Sequence, residues 1–364
     1  MAKFTGQLRS NEIFGALFNM IISQEIDSQN IAGTFSELVD KARVDGGLYG
    51  DTKLYYSTDV LKSSAWGNDK EAANLLALHR PAAPEVQAIT LDKFRQIALT
   101  VDDYLSKRAF STEGAFSNFN SVLLSWIRDT KRVYDATTYN AFIGTAETAV
   151  GAQAQSIDLT TATTGLSGLD KARVEGLTIA QSLADLIIKL KDVSRDFNDY
   201  GNLRSYSDGD IKVIWNSDFV NKIRKVDLPT IFHSEGLVDK FDSDILPARY
   251  FGKINAANTT VVASGSGANA GKVRSLIEQE IGSNHYFPGD VIKTGDTAPA
   301  GTSYTVDPTI ICKIYTKLPP YMSAFETSTS FFNPVSLTST NWLIWGYNTL
   351  EYLKGYPLIT VREK

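Results

Sequence analysis

The chain has 364 residues, 43% of them hydrophobic and 21% charged, with 36 basic against 41 acidic side chains and a net charge of −5. That composition excludes collagen-like, disordered and disulfide-stapled chains and leaves room for about two folded domains. The acidic balance speaks against a dedicated nucleic-acid binder. One cysteine, Cys312, and three histidines, His79, His233 and His285, supply no multi-thiolate or histidine metal cage.

Residues 1–24 read as an amphipathic arm, because Phe4, Leu8, Ile13, Leu17 and Ile21 approximate helical spacing while Arg9, Asn11 and Gln24 fall elsewhere on the wheel. Such an arm packs either on its own domain or on a neighbouring subunit. In the second case the chain from Glu113 onward is expected to fold without it. The apolar run 13–22 follows Lys3 and Arg9 but is bracketed by Glu12 and broken by Asn19, and no small-x-small cleavage site follows. No stretch approaches the roughly 20 apolar residues of a membrane span, so the expectation is a soluble chain made in the cytosol. Asn258-Thr-Thr260 matches a glycosylation sequon, and without a secretory signal the match is taken as chance.

Residues 25–85 are mixed, punctuated by Gly46-Gly47, Gly50 and Gly67 and closed by Pro81 and Pro84. From 86 to 110, apolar Ile97, Leu99 and Val101 alternate with Gln96, Ala98, Thr100 and Asp102, which predicts a long strand of a projecting β-hairpin. The strongest signal runs from Glu113 to Ile143. Phe116, Phe119, Leu123, Trp126 with Ile127, Val133 with Tyr134, and Phe142 fall at helical spacing, in steps or multiples of three or four, without a proline; Ser111 or Thr112 can cap the start, and Gly144 stops the run. At 1.5 Å per residue this helix is roughly 45 Å long, far beyond the usual 11–12 residues. It reads as a strut.

A Thr/Gly/Ala-rich passage, 144–168, contains one short strand candidate at 155–159. A second amphipathic helix is predicted over about 171–200, with Leu177, Leu183, Ile187, Leu190 and Phe197 on one side. Ile211–Trp215 reads as a buried strand, and Asn216-Ser217 as the cap of a short helix through Arg224. Leu246–Gly252 reads as extended, and further strands are expected at 309–315 and 357–361. Strands and helices do not alternate strictly, so the fold class is α+β rather than a doubly wound sheet.

Enzyme-like motifs fail on spacing. Gly265, Gly267 and Gly271 give GxGxxxG, and Gly267 to Lys272 gives GxxxGK followed by Val273, where a phosphate loop needs Ser or Thr. A nucleotide-binding enzyme built on Gly265–Lys272 is therefore the remote alternative, and a surface loop the expected reading. Asp239, Asp242 and Asp244 lack the glycine and glutamate of a calcium loop and are expected to face solvent. Cys312, between Ile311 and Lys313, reads as a buried thiol. Lys131-Arg132 and Lys222, Arg224 and Lys225 read as solvated helix faces, with weak polyanion contact as the alternative. No catalytic, cofactor or metal residue is assigned, and the chain is expected not to be an enzyme.

The order of these elements resembles the major capsid protein of tailed bacteriophages, a fold shared with encapsulins and the herpesvirus capsid floor. The segments carrying the resemblance are the arm MAKFTGQLRSNEIFGALFNMIIS, the hairpin return EVQAITLDKFRQIALTVDDYLSKRAF and the strut FSNFNSVLLSWIRDTKRVYDATTYNAFIG. DIKVIWNSDFVNKI, LPARYFGKI and GYPLITVRE complete it, so that it spans nearly the whole chain. It implies an N-terminal arm (1–40), an extended β-hairpin loop (41–112), a peripheral domain with a spine helix (113–165 and 335–364) and an axial domain with a central sheet (166–334). It further implies a structural subunit that self-assembles into hexamers and pentamers of an icosahedral shell around double-stranded DNA, in the virion and assembled in the host cytoplasm. Partners would be other copies, scaffold and portal proteins and, without sequence specificity, the packaged DNA. An encapsulin-like compartment or a tail or connector subunit is the alternative within the same class.

Overall fold

The computed structural model describes residues 37–46, 51–63, 78, 80–102, 113–148, 150–224, 242–260, 279–281, 284–286 and 300–364. The N-terminal arm and the loop Gly265–Lys272 lie outside the described residues. The elements are α1 (Glu37–Ala42), β1 (Arg43–Asp45), β2 (Thr52–Ser57), β3 (Glu85–Asp102), α2 (Glu113–Thr145), β4 (Ala154–Ile157), α3 (Leu159–Ala162), α4 (Gly168–Lys191), β5 (Lys212–Asn216) and α5 (Ser217–Arg224). They continue with β6 (Asp242–Leu246), β7 (Gly252–Thr260), β8 (Gln279–Ile281), β9 (Asn284–Tyr286), β10 (Ala300–Val306), β11 (Ile310–Tyr315), β12 (Tyr321–Asn333), β13 (Thr338–Asn348) and β14 (Leu358–Glu363). This is the mixed α+β content that the sequence predicts.

Two five-stranded sheets carry the fold. The central one has the order β4-β14-β11-β5-β6, with β4 parallel to β14, β5 parallel to β6, and β11 antiparallel to both neighbours. Helix α4 lays Ile179, Leu183 and Leu190 on one face, against Val213, Trp215 and Val361. The other face turns Ile214, Tyr315 and Leu358 toward Tyr139 and Ile143 of α2. Every residue of β11 is buried, which explains why this strand, Lys313 apart, reads as an apolar run rather than an alternating one.

The second sheet has the order β1-β12-β13-β3-β2, and its outer end projects from the packed core, with Phe331, Phe332 and Val335 exposed. Its 18-residue strand β3 extends to about 60 Å at ~3.3 Å per residue. Near the body, Ile89 and Leu91 pack on Met322, Ala324 and Leu353. Along the sheet, Leu343, Trp345 and Tyr347 of β13 pack beneath Ile127 and Tyr134 of α2. The strut helix is thus shared by both sheets.

Three expectations need correction. Helix α4 ends at Lys191, not near 200, because Asp192 already has extended backbone (φ −75°, ψ 156°). Phe197 is nevertheless buried in the α4 core, delivered by a loop whose Ser194 and Arg204 exchange backbone hydrogen bonds. The right spacing came from the wrong backbone. The segment 246–252 is not extended throughout, since Pro247 (φ −57°) starts a 3₁₀ turn over Ala248–Tyr250. No strand was expected between 316 and 349, yet β12 pairs with β13, and β13 with β3, in the two longest ladders among the described residues. Their Ser/Thr/Asn-rich outer halves show no apolar alternation because both faces remain open, and cross-strand contacts such as Thr100 Oγ1 to Thr340 Oγ1 at 3.0 Å stand in for core packing.

Candidate functional site

No enzyme-like pocket organises the described residues. What organises them is a set of joints that hold the projecting sheet rigidly to the body. In the middle of α2, Asp135 is 1% exposed and accepts hydrogen bonds from Tyr321 Oη at 2.6 Å and Lys131 Nζ at 3.2 Å. Arg43 Nη2 lies 3.6 Å from the same carboxylate, and Glu326 lies 3.2 Å from Lys131 Nζ. One buried carboxylate therefore ties α2 to β1 and β12. At the preceding residue of α2, Tyr134 Oη and Tyr347 Oη are 2.5 Å apart, and Arg95 Nε donates to Tyr134 Oη at 3.1 Å. Burial first, and then the hydrogen bond with Tyr134, push the Tyr347 phenol above its ordinary range. Lys131, expected on a solvated face, is instead 7% exposed and fully engaged.

A second joint clamps the base of the β2–β3 ribbon. Asp59 accepts from Leu203 N at 3.0 Å and from Arg195 Nη1 at 2.7 Å. The backbone N–H of Leu203 is the main cause that pulls its carboxyl down to about 2, followed by Arg195. Asn202 Nδ2 donates to Ser57 Oγ at 2.8 Å, and Gln87 Nε2 donates to Tyr352 O at 2.9 Å while its Oε1 accepts from Lys354 N at 2.9 Å. The ribbon leaves the body from a fixed root.

The third joint lies at the C-terminal end of α2, whose last carbonyls have no partner within the helix. Lys313 of β11 donates through Nζ to Ala146 O, and Tyr315 Oη donates to Ile143 O at 3.3 Å. A cation suits this negative end of the helix dipole, but Lys313 is wholly buried. Desolvation draws its pKa down to about 7, with Asp307 as the opposing influence. Unfolded lysine titrates near 10.4, so between about 7 and 10.4 the unfolded chain binds the extra proton. Stability from this group therefore rises with pH across that window, and its cost is complete below about 7. Lys313→Met should remove that slope. Chemical denaturation of both proteins at pH 6, 8 and 10 checks it, and an unchanged slope in the variant refutes the assignment.

The exposed surface carries a different feature. The tip of the β12–β13 hairpin presents Phe331 (65% exposed), Phe332 and Val335 (92% exposed), with Leu337 held at a φ of +54°. A leucine in that left-handed region costs roughly 1–2 kcal/mol. From 327 to 350 no residue is charged, in a chain that is 21% charged. Apolar, aromatic and charge-depleted surface is the composition of an interface core.

The residues singled out in the sequence are not brought together. Asp239, Lys225, His79 and His233 lie outside the described residues. Asp242 begins β6, and Asp244 of the same strand is not free in solvent but accepts Lys41 Nζ at 2.9 Å. Lys222 and Arg224 lie on α5 and His285 on β9. Among the described residues no group of His, Cys, Asp or Glu is arranged to hold a metal. Cys312 is fully buried, and burial raises its thiol far above the ordinary range. Sequence reading missed the hairpin tip, although the uncharged run after Glu326 was visible.

The model of a family described as Phi29-like phage major capsid protein matches residues 5–345. Among solved structures, the chain is similar to one from the capsid of Staphylococcus phage Andhra, at 12% identity and a TM-score of 0.62 over 95% of this chain and 88% of that one. It is similar also to a chain in the structure of the head fiber and inner core protein gp22 of native bacteriophage P68, at 11% identity and a TM-score of 0.62 over 95% and 89%. No curated protein sequence matches. At such identities the structural likeness establishes the fold, and the family match carries the kinship.

Proposed function

This chain belongs to the Phi29-like phage major capsid protein family, and we propose that its copies build hexamers and pentamers of an icosahedral phage head that encloses double-stranded DNA. It is a structural protein of the virion capsid, and copies of it assemble into the shell. The proposal extends to scaffold and portal proteins as partners, to non-specific contact with packaged DNA through counter-ion release, and to assembly in the host cytoplasm. It includes the absence of enzymatic activity, and the division into arm (1–40), hairpin loop (41–112), peripheral (113–165 and 335–364) and axial (166–334) parts. The hairpin β12–β13 crosses the boundary of that division at 334/335.

The observation that carries this reading, beside the family itself, is the uncharged apolar hairpin tip at the end of a rigidly rooted sheet. A shell subunit must project surfaces that only a neighbour can bury. Each large apolar side chain so buried contributes about 1.5–3 kcal/mol, less the cost of ordering the tip. Phe331→Ser, Phe332→Ser and Val335→Ser combined should leave a monomer with unchanged circular dichroism that no longer forms closed particles by electron microscopy. Normal shells from that variant count against the tip, and a wild-type chain that never associates counts against the capsid reading.

A further inference from the structure

We propose that the projecting sheet continues from one copy of the chain into the next, the outer edge of β12 in one copy pairing in parallel with the outer edge of β3 in another. The inference rests on the shell reading above and adds where, and in what register, two copies meet. Strand β1 covers β12 only at Tyr321–Ser323, and β2 covers β3 only at Glu85–Thr90. Beyond those stretches, among the described residues, no strand pairs with the outer side of 327–333 in β12 or of 95–101 in β3. Each edge offers a row of backbone donors and acceptors. Proteins blunt such edges with lysine or proline, and neither occurs in Thr-Ser-Thr-Ser-Phe-Phe-Asn (327–333) or in Gln-Ile-Ala-Leu-Thr-Val (96–101).

Direction and register agree. Strands β12 and β3 are both antiparallel to β13, so they run parallel to one another and a neighbour related by rotation about the strand direction joins them in parallel. Thr327 and Gln96 both stand opposite Ile344, and Thr329 and Ala98 both stand opposite Trp342. Glu326 sits in the bulge between Ala324 and Thr327, level with Arg95 across Trp345. In-register pairing of two copies therefore sets a carboxylate of one edge beside a guanidinium of the other. Outward of that pair both edges stay uncharged as far as Val101 and Asn333. A groove of about 670 Å³ lies between Phe94–Ala98 of β3, Thr130 and Tyr134 of α2, and Trp342, Ile344 and Trp345 of β13. An unpaired strand edge is the receiving geometry of strand addition. Each copy gives one edge and takes another, so the contact is head-to-tail and closes into rings or propagates. A shell needs such contacts.

Paired cysteines test this directly. In one chain Ala98 and Thr329 are separated by the whole width of β13, about 9.5 Å at ~4.8 Å per strand, too far for a disulfide, whose Cα atoms lie within about 7 Å. Across the proposed junction they are adjacent, at ~4.8 Å. The native Cys312 is fully buried and does not compete. The A98C/T329C variant, assembled under reducing conditions and then mildly oxidised, should run as a ladder of disulfide-linked multimers, while A98C and T329C alone stay monomeric on the same gel. Q96C/T327C, one step along the same register, should do likewise and covers the chance that the first pair fails to fold. Shells of normal appearance from either double variant, with only monomers after oxidation, overturn the edge pairing and leave the capsid reading intact. A wild-type chain that forms no shells overturns both.

Discussion

Gly144→Ala is expected to destabilise the protein by several kcal/mol, although it replaces glycine with the best helix former. Gly144 lies in the last turn of α2, where propensity alone predicts a gain of ~1 kcal/mol. A Cβ built there would stand 1.9 Å from Tyr250 O and 2.6 Å from Tyr250 C. Both are backbone atoms of the 3₁₀ turn that carries Tyr250 and Phe251 into the core, at 3% and 0% exposure. No side-chain rotation relieves the clash, so either the helix end or the turn must move by more than an ångström. Overpacking of this kind costs ~1–3 kcal/mol where neighbours can adjust and more where they cannot. Movement here would also detach the Lys313 and Tyr315 donors from Ala146 O and Ile143 O. The steric cost should outweigh the propensity gain. Gly144→Ala should be recovered mostly insoluble, or should melt at least 5–10 °C lower at ~2–4 °C per kcal/mol. Equal or higher thermal stability would show that the contact with Tyr250 is not tight in solution.

The same residue illustrates how far the sequence could be read. Gly144 is legible as the end of the strut, because the apolar periodicity stops there. Its closeness to Tyr250 is not, since that contact joins residues more than a hundred positions apart. The buried strands around Ile211 and Ile310 were legible because both of their faces meet apolar partners. The hairpin β12–β13 was not, because its outer half sets Ser and Thr on both faces up to Phe331 and Phe332, so no alternation marks it and its pairing is a matter of backbone. Lys131 likewise looks like any surface lysine on a helix wheel. Only the fold reveals that Asp135, one turn on, is sealed beneath Tyr321 and needs its charge answered. As for the assembly surface, an uncharged run is visible in the letters, whereas the two sheet edges appear only once the strands are laid side by side.

Asp135→Ala is the second substitution expected to have a large effect, and it shows which part of the strut joint is structural. The carboxylate is buried and accepts from Tyr321 Oη and Lys131 Nζ, with Arg43 at 3.6 Å. Removing it leaves a mostly buried ammonium with Glu326, whose side chain is 53% exposed, as its one carboxylate and the Trp345 ring at 5.9 Å, and a buried phenol without its acceptor. Breaking a buried pair from one side typically costs ~3–5 kcal/mol, and an orphaned hydroxyl adds about 1–3 kcal/mol. The pair itself contributes far less, because burying two charges offsets most of their attraction. The double replacement Lys131→Met with Asp135→Leu should therefore be markedly more stable than Asp135→Ala alone, and Tyr321→Phe on that background should be nearly neutral. Urea denaturation of the single, double and triple variants measures the coupling. Additive losses across the series would mean that these groups act independently, and that the strut is held to the projecting sheet by Trp345, Tyr347 and Ile127 instead.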